Sequence, residues 1–469
     1  MREEGNTKMT RKTILAAGAA LAALCGFGAA PGWHVSGDYR LYVGGRQVDV
    51  VRVPMPEQSP GCLWNELEWQ PYSYATFELT NETEIVVRSG VFDLSKAEIL
   101  PASKGVVPTA RSADMVVFRM KPGTTLALES RGRHRALVLS ANLPDPAPPA
   151  ADDPKVRFFA PGFHHAGLIE LTDGQTLYLA PGAWVEGFVV GKGRNVSVRG
   201  GGVLSGACWD WGKTPRPPEW YTHVNLSGND IEIRDVTLFS SWSWTLMLNQ
   251  ATNAVVDNVK IICGRVINDD GIDICRSRDV VIRNSFVRCQ DDTIAPKYWC
   301  ENLTVTNCTL WSDAANVFRI GYECDSRASG HVFRNLRFAD IDIVHQTMNK
   351  NKPMDYWGNS AINIQPSNGQ PMSGIVFDGL RFGECGPKDV FLNVRTMLIN
   401  RDTPSVFTTE AGTLDGLVLR NISLPDSRGG MIVNLNALDA EHPIRGVRFE
   451  NVTGYGEVTK SAGVQFEQP

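Results

Sequence analysis

Two acidic clusters carry the residues most able to do chemistry in this 469-residue chain: Asn268-Asp269-Asp270-Gly271-Ile272-Asp273 and Gln290-Asp291-Asp292. Asp270 precedes Asp291 and Asp292 by 21 and 22 residues. Carboxyl groups brought together from two such positions raise one another's proton affinity, so one can stay protonated as a donor while another accepts. A separation of roughly 6.5–9.5 Å between acid and base leaves room for a water and suits inverting hydrolysis of a glycosidic bond. Aspartates also cap turns through nearby backbone amides. Asp269, Asp270 and Asp273 around a glycine could equally surround a calcium ion, although the spacing of an EF-hand loop is absent. With calcium and a basic residue such as Lys297 or Arg319, the same cluster would suit a polysaccharide lyase.

The elements that must position these acids follow from a repeated phrase with apolar residues on both sides of an Asn, Asp or Gly. It recurs around Asp235, Asn258, Asn284, Asn307, Gly379, Asn421 and Asn451, with a looser copy at Asn335. The central steps are 23, 26, 23 and 28 residues, about one coil of a solenoid. Inward apolar side chains then stack from coil to coil, and corner amides bond to the coils above and below. The pattern predicts a right-handed parallel β-helix over 156–469. It also assigns the Asn-x-Ser/Thr sites at Asn302, Asn307, Asn421 and Asn451 to the ladder rather than to glycosylation. Adjacent rungs about 4.8 Å apart place the two acidic clusters side by side. Because neighbouring strand residues point to opposite faces, Asp291 and Asp292 can share a groove only if the backbone bends there. Longer steps imply inserted loops, one of them Asn349 to Ser360.

Ahead of the repeat, 142–155 (NLPDPAPPAADDPK) is too rich in proline to hold a hydrogen-bonded ladder and reads as a linker. Alternating stretches at Ala75–Leu79, Glu84–Arg88 and Ala136–Ser140 within 36–141 predict a small β-sandwich. The fold class is therefore all-β. Residues 1–30 place Lys8, Arg11 and Lys12 before an uncharged apolar run from Ile14 to Ala30, the pattern of a signal peptide. The protein is expected to be secreted or periplasmic, with surface attachment through this segment as the alternative. Its loss removes four basic and two acidic residues and takes the net charge from -5 to -7. That balance disfavours nucleic acid as a partner. Hydrophobic residues at 43% and charged residues at 21% exclude a disordered or multi-span membrane chain, and no stable membrane insertion is expected. Of ten cysteines, one leaves with the signal; the remaining nine predict mostly core residues with one or two disulfides.

These motifs resemble the clan of β-helical glycoside hydrolases that contains family 28, the polygalacturonases, and family 49, the dextranases and isopullulanases. Family 28 shows Asn-Thr-Asp-Gly-x-Asp followed one coil later by Asp-Asp, and Asn268 to Asp273 and Asp291-Asp292 keep that order. Ser241 to Thr245 (SWSWT) and Asp291 to Lys297 (DDTIAPK) resemble the accompanying strands. The family 28 Gly-His-Gly is replaced by Ala315-Asn316-Val317, and its Arg-Ile-Lys is absent, leaving Lys297, Arg319 and Arg395 as bases for a substrate carboxylate. The sandwich and the stretches Phe158 to Val185 and Ile341 to Gln346 resemble family 49, whose substrates are neutral α-glucans.

The resemblance implies a pectate-lyase-like solenoid and an inverting hydrolase of α-linked polysaccharide or oligosaccharide, needing no cofactor and no metal. In it Asp291 is the general acid, and Asp270 and Asp292 are the base pair. Asn268, Asp273, Trp242, Lys297, Asn316, Arg319 and Tyr322 are the implied substrate contacts, with Asp273 also orienting the strand corner through backbone hydrogen bonds. Trp209, Trp211, Trp220, Trp244, Tyr298 and Trp357 are further candidates for stacking on sugar faces, and His345 reads equally as a packed histidine or a contact. The competing readings are a lyase on the same scaffold and a carbohydrate-binding β-helix without turnover.

Overall fold

The computed structural model describes residues 35–55, 70–209, 222–266, 268–346, 360–384, 389–398, 410–425 and 430–467. The signal segment, Trp211, Trp220, Trp357, and all but Ser360 of the Asn349 to Ser360 loop lie outside the described residues. The N-terminal part is two five-stranded sheets. One centres on Thr83–Arg88, antiparallel to Arg40–Val43 and Met115–Met120; the other centres on Leu137–Asn142, between Tyr72–Glu78 and Thr124–Glu129. Alternate residues of both sheets, among them Leu41, Ile85, Phe118, Ala75, Leu128 and Leu139, share one apolar core, which makes the pair a sandwich. Between it and the next strand, Val156–Phe159, the proline-rich segment is fastened by Asp145, which receives Arg199 at 3.0 Å.

From Val156 onward every pairing between strands is parallel and joins one coil to the next, giving a parallel β-helix. Inward residues stack into a single core running from Ile169 to Val452. One coil illustrates the course of the chain. Ile272–Arg283 supplies two faces with a corner between them, where Arg276 and Asp279 take positive φ; Asn284 turns the second corner at φ 55°, and Phe286–Cys289 makes the third face. Asn and Asp suit these corners because they tolerate the left-handed region better than other side chains carrying a Cβ.

The amides form the predicted ladders. Asn258 donates to Asp235 at 2.8 Å, Asn284 to Asp257 at 2.7 Å and Asn307 to Asn284 at 2.8 Å. Asn335 corrects the expected repeat. It donates to Asn302, 33 residues earlier and on the other corner, and the partner rung of Asn307 follows the pairing of Thr306 with Ala339. Both corners select the same residue types, so the phrase alone did not distinguish them. The seven described cysteines, Cys208, Cys263, Cys275, Cys289, Cys300, Cys308 and Cys324, are all free thiols, which leaves the expected disulfides only Cys62 and Cys385, outside the described residues. Five of these, Cys263, Cys289, Cys300, Cys308 and Cys324, serve as small apolar residues in the stacked core. Among the described residues no helix is long and apolar enough to cross a membrane.

The sandwich docks on the third face, where Tyr72, Tyr74 and Val138 meet Trp184, Phe239, Ile262, Phe286 and Trp311. Arg288 is held there between the rings of Tyr72 and Trp311, 3.8 and 3.7 Å from their centroids, and is paired with Asp313 at 3.0 Å. His345 is buried beside Trp311 and bonds to Glu129 of the sandwich at 2.6 Å, the surroundings of a packed histidine. The docked face leads directly into the turns that carry the acids.

Candidate active site

Each coil passes from the third face to the first through a short turn, and these turns stack. Thr245 N–H bonds to the carbonyl of Asp270, Gly271 N–H to that of Asp292, and Thr293 N–H to that of Asn316, at 2.8–3.0 Å. Trp244, Asp270, Asp292 and Asn316 therefore occupy equivalent positions on four successive coils. Asp291 and Asp292 lie between Phe286–Cys289 and Ile294–Thr306, outside both strands, so the bend needed to bring them into one groove is present. One carboxylate oxygen each from Asp270, Asp291 and Asp292 lies within 4.8 Å of the others. This is tighter than the predicted separation of acid and base, because two of the three are neighbours in one turn.

Buried hydrogen bonds hold the turns in place. Asp269, with no exposed surface, accepts from Gly264 N–H at 2.6 Å, Gln290 N–H at 2.7 Å and Asp291 N–H at 3.4 Å. Gln290 returns a bond through Nε2 to the Gly264 carbonyl at 2.6 Å. Asp269 thus ties the turn of one coil to that of the next, and its oxygens are committed to backbone donors.

The three central acids have different surroundings. Asp292 accepts at Oδ1 from the backbone and side-chain nitrogens of Asn316, at 3.1 and 2.6 Å, and its Oδ2 stands 4.0 Å from Arg319 Nε. Asp270 receives Asn268 Nδ2 at 3.2 Å and Lys297 Nζ at 2.7 Å. Burial raises the Asp270 carboxyl and Lys297 opposes it, while Asp292 adds to the rise; the result is about 6. Among the described residues no cation is bonded to Asp291. Burial first, then the charges of Asp270 and Asp292, push it well above the ordinary carboxylate range. The trio therefore combines a carboxyl that keeps its proton with two that are fixed as acceptors, the division of labour that general acid–base hydrolysis requires.

The predicted contact residues fall into distinct layers. Asn268, Lys297, Asn316 and Arg319 all address the acids. Asn316 is an internal strut, since its Oδ1 also accepts from Ser360 N–H at 2.9 Å and Asn363 Nδ2 at 3.0 Å. Tyr322 is buried and reaches the site through Arg319, whose guanidinium lies 4.4 Å from its ring centroid. Asp273 does not orient the corner through backbone bonds as expected; it pairs with Lys297 at 2.9 Å. Trp242 is 4% exposed and packs among Phe188, Trp209 and His223. Trp244, two residues on, meets the site among the described residues, with Lys297 Nζ 3.6 Å from its ring centroid. Carrying the coil spacing one turn back from Asp270 would have singled it out. Nor do Asp269, Asp270 and Asp273 form a calcium cage, because backbone amides fill the first and one ammonium group bridges the other two.

Residues 180–392, which span all these turns, match the model of glycosyl hydrolases family 28. Over these residues the chain is similar to the β-helical glycoside hydrolases of family 28. Among solved structures, it is similar to Dex49A from Penicillium minioluteum, at 14% identity and TM-score 0.63, with 94% of this chain and 96% of that one covered. The family 28 exopolygalacturonase of Yersinia enterocolitica is 11% identical, with TM-score 0.44 and coverage of 82% and 95%. The polygalacturonase of Erwinia carotovora is 14% identical, with TM-score 0.42 and coverage of 65% and 86%. At these identities the likeness to Dex49A establishes the fold, sandwich included. No curated protein matches the chain in sequence.

Proposed function

We propose that the protein is an exported, inverting glycoside hydrolase that cleaves neutral α-linked polysaccharide or oligosaccharide. The observation that carries hydrolysis is the meeting of Asp270, Asp291 and Asp292 within 4.8 Å in three unlike environments. Inversion rests on the family 28-like order of these acids, since they stand closer than the roughly 6.5–9.5 Å of the usual inverting pair. Asp291 gives its proton to the glycosidic oxygen as the bond from that oxygen to the anomeric carbon breaks. Asp270 and Asp292 take a proton from a water whose oxygen forms the new bond on the opposite face of the sugar. Export rests on the charged and apolar pattern of residues 8–30.

Neutral sugars are favoured by the charge of the site. Asp270, Asp273, Asp292 and Glu323 gather around Lys297 and Arg319, and both cations face aspartates. A uronic acid entering this groove meets net negative charge, and like charges held in a poorly solvated site repel strongly. The test is reducing-end release from dextran, pullulan, polygalacturonate and rhamnogalacturonan by the wild type and by Asp270→Asn. Release is expected from a neutral α-glucan and not from polygalacturonate, and the variant should abolish it. Cleavage confined to the uronic polymers would overturn the substrate reading.

A further inference from the structure

We infer that Lys297 is a positioning residue and not a substrate ligand: it is an internal counter-ion, fixed by Asp273 and the face of Trp244, that keeps Asp270 in its carboxylate form and aimed at the attacking water. The inference rests on Asp270 acting as a base, as proposed above.

The geometry leaves Lys297 little else to do. It rises from Ile294–Thr306 opposite Cys275, one coil beyond Asp270, and its side chain reaches back across the groove floor. Nζ stands 2.7 Å from Asp270 Oδ2, 2.9 Å from Asp273 Oδ1 and 3.6 Å from the Trp244 centroid, with the residue 2% exposed. An ammonium has three N–H groups. Asp270 accepts one of them, the Asp273 carboxylate stands at ion-pair distance, and the ring of Trp244 covers another side, a ring being a good seat for a desolvated cation. A buried ammonium is costly without a partner, and Asp273 alone would supply one. The second contact, to Asp270, connects this ion pair to the reacting groups.

The charged and titratable groups around it come from every neighbouring coil. Asp269, Asp270, Asp273 and Cys275 lie on the coil of the base; Asp291, Asp292 and Tyr298 on the next; Arg319 and Glu323 on the one after, with Arg276 at the corner. For Lys297 itself, burial disfavours its charge, but Asp270, Asp273, Glu323 and Asp292 outweigh that and hold its proton firmly. Asp273 is raised first by burial and next held down by Lys297. Without the lysine, Asp270 and Asp273 become two buried carboxyls with no cation between them. A proton then settles on the pair, and Asp270 can no longer take one from water at neutral pH.

The test follows the Asp270 carboxyl directly, by NMR titration of protein carrying 13C-labelled aspartate, assigned with Asp270→Asn. In Lys297→Met the Asp270 midpoint should move up by about 1–3 pH units, and the acidic limb of kcat/KM should move with it. Lys297→Arg should restore much of the wild-type position. Asp273→Asn, which keeps the cation and removes a like charge, should move the midpoint down; it decides the matter if Lys297→Met does not fold. A merely structural lysine predicts uniformly lower activity with the midpoint unmoved, and that result in both variants would overturn the inference. The carboxyl titration is read without substrate, so it stands or falls separately from the proposed hydrolysis.

Discussion

Asp291→Asn is expected to lower kcat on the natural glycan by about 10²–10⁴-fold, the usual range for a lost general acid. Its effect on the fold should be small. Asp291 Oδ1 accepts the N–H of Asp292 at 3.0 Å, and an asparagine oxygen can do the same. The pH profile gives the sign. The acid must carry its proton to work, and Asp291 lies well above the ordinary carboxylate range because of burial and the charges of Asp270 and Asp292. Activity in the wild type should therefore fall as pH rises through the Asp291 midpoint, and the variant should lose that alkaline limb. An aryl glycoside whose leaving group needs no proton should be cleaved with a much smaller loss by Asp291→Asn, but not by Asp292→Asn. A natural substrate turned over within tenfold of wild type by Asp291→Asn would remove this residue from the role of acid.

The second large effect is expected on stability, at Arg288. The residue is 2% exposed, is paired with Asp313, and fills the space between Tyr72 of the sandwich and Trp311 of the helix. Asp313 also receives Trp311 Nε1 at 2.9 Å, and its backbone N–H bonds to the carbonyl of Cys289 at 2.9 Å, one residue before the catalytic turn begins. Arg288→Met leaves the Asp313 charge buried without its partner, a change that typically costs about 3–5 kcal/mol. Removing the charge as well, in Arg288→Met with Asp313→Asn, should recover part of that loss. Thermal and urea unfolding of the two variants check the order. Equal stability of wild type and Arg288→Met would show that the docked sandwich does not lean on this pair.

The architecture was legible where one residue type meets one backbone demand. The solenoid showed itself through Asn258, Asn284, Asn307, Asn421 and Asn451, because a corner at positive φ selects Asn, Asp or Gly and repeats once per coil. The same selectivity misplaced Asn335, since the coil has two such corners and an insertion shifts their spacing. The acids were legible for a related reason: the 22 residues from Asp270 to Asp292 are one coil. What lay beyond the sequence was side-chain direction. Trp242 and Trp244 are two positions apart, yet Trp242 joins a buried ring cluster while Trp244 sits under Lys297. Lys297 was found as a basic residue near the acids, but its bridge between Asp270 and Asp273 depends on contacts across coils that spacing does not encode. The cysteines were legible as mostly core residues, as Cys263, Cys289, Cys300, Cys308 and Cys324 are, although a small apolar thiol in a stacked core is indistinguishable in sequence from half of a disulfide.

The central claim is that Asp291 and the Asp270–Asp292 pair act on opposite faces of one sugar. Proton NMR of the first products, recorded before mutarotation, tests it most directly on the glycan found by reducing-end release. Inversion predicts that an α-linked substrate yields the β-anomer at the newly formed reducing end, with the α-anomer growing in only as the sugar equilibrates. An α-anomer appearing first would mean a covalent intermediate on one of these aspartates, and would contradict the assignment of Asp270 and Asp292 as a water-activating pair.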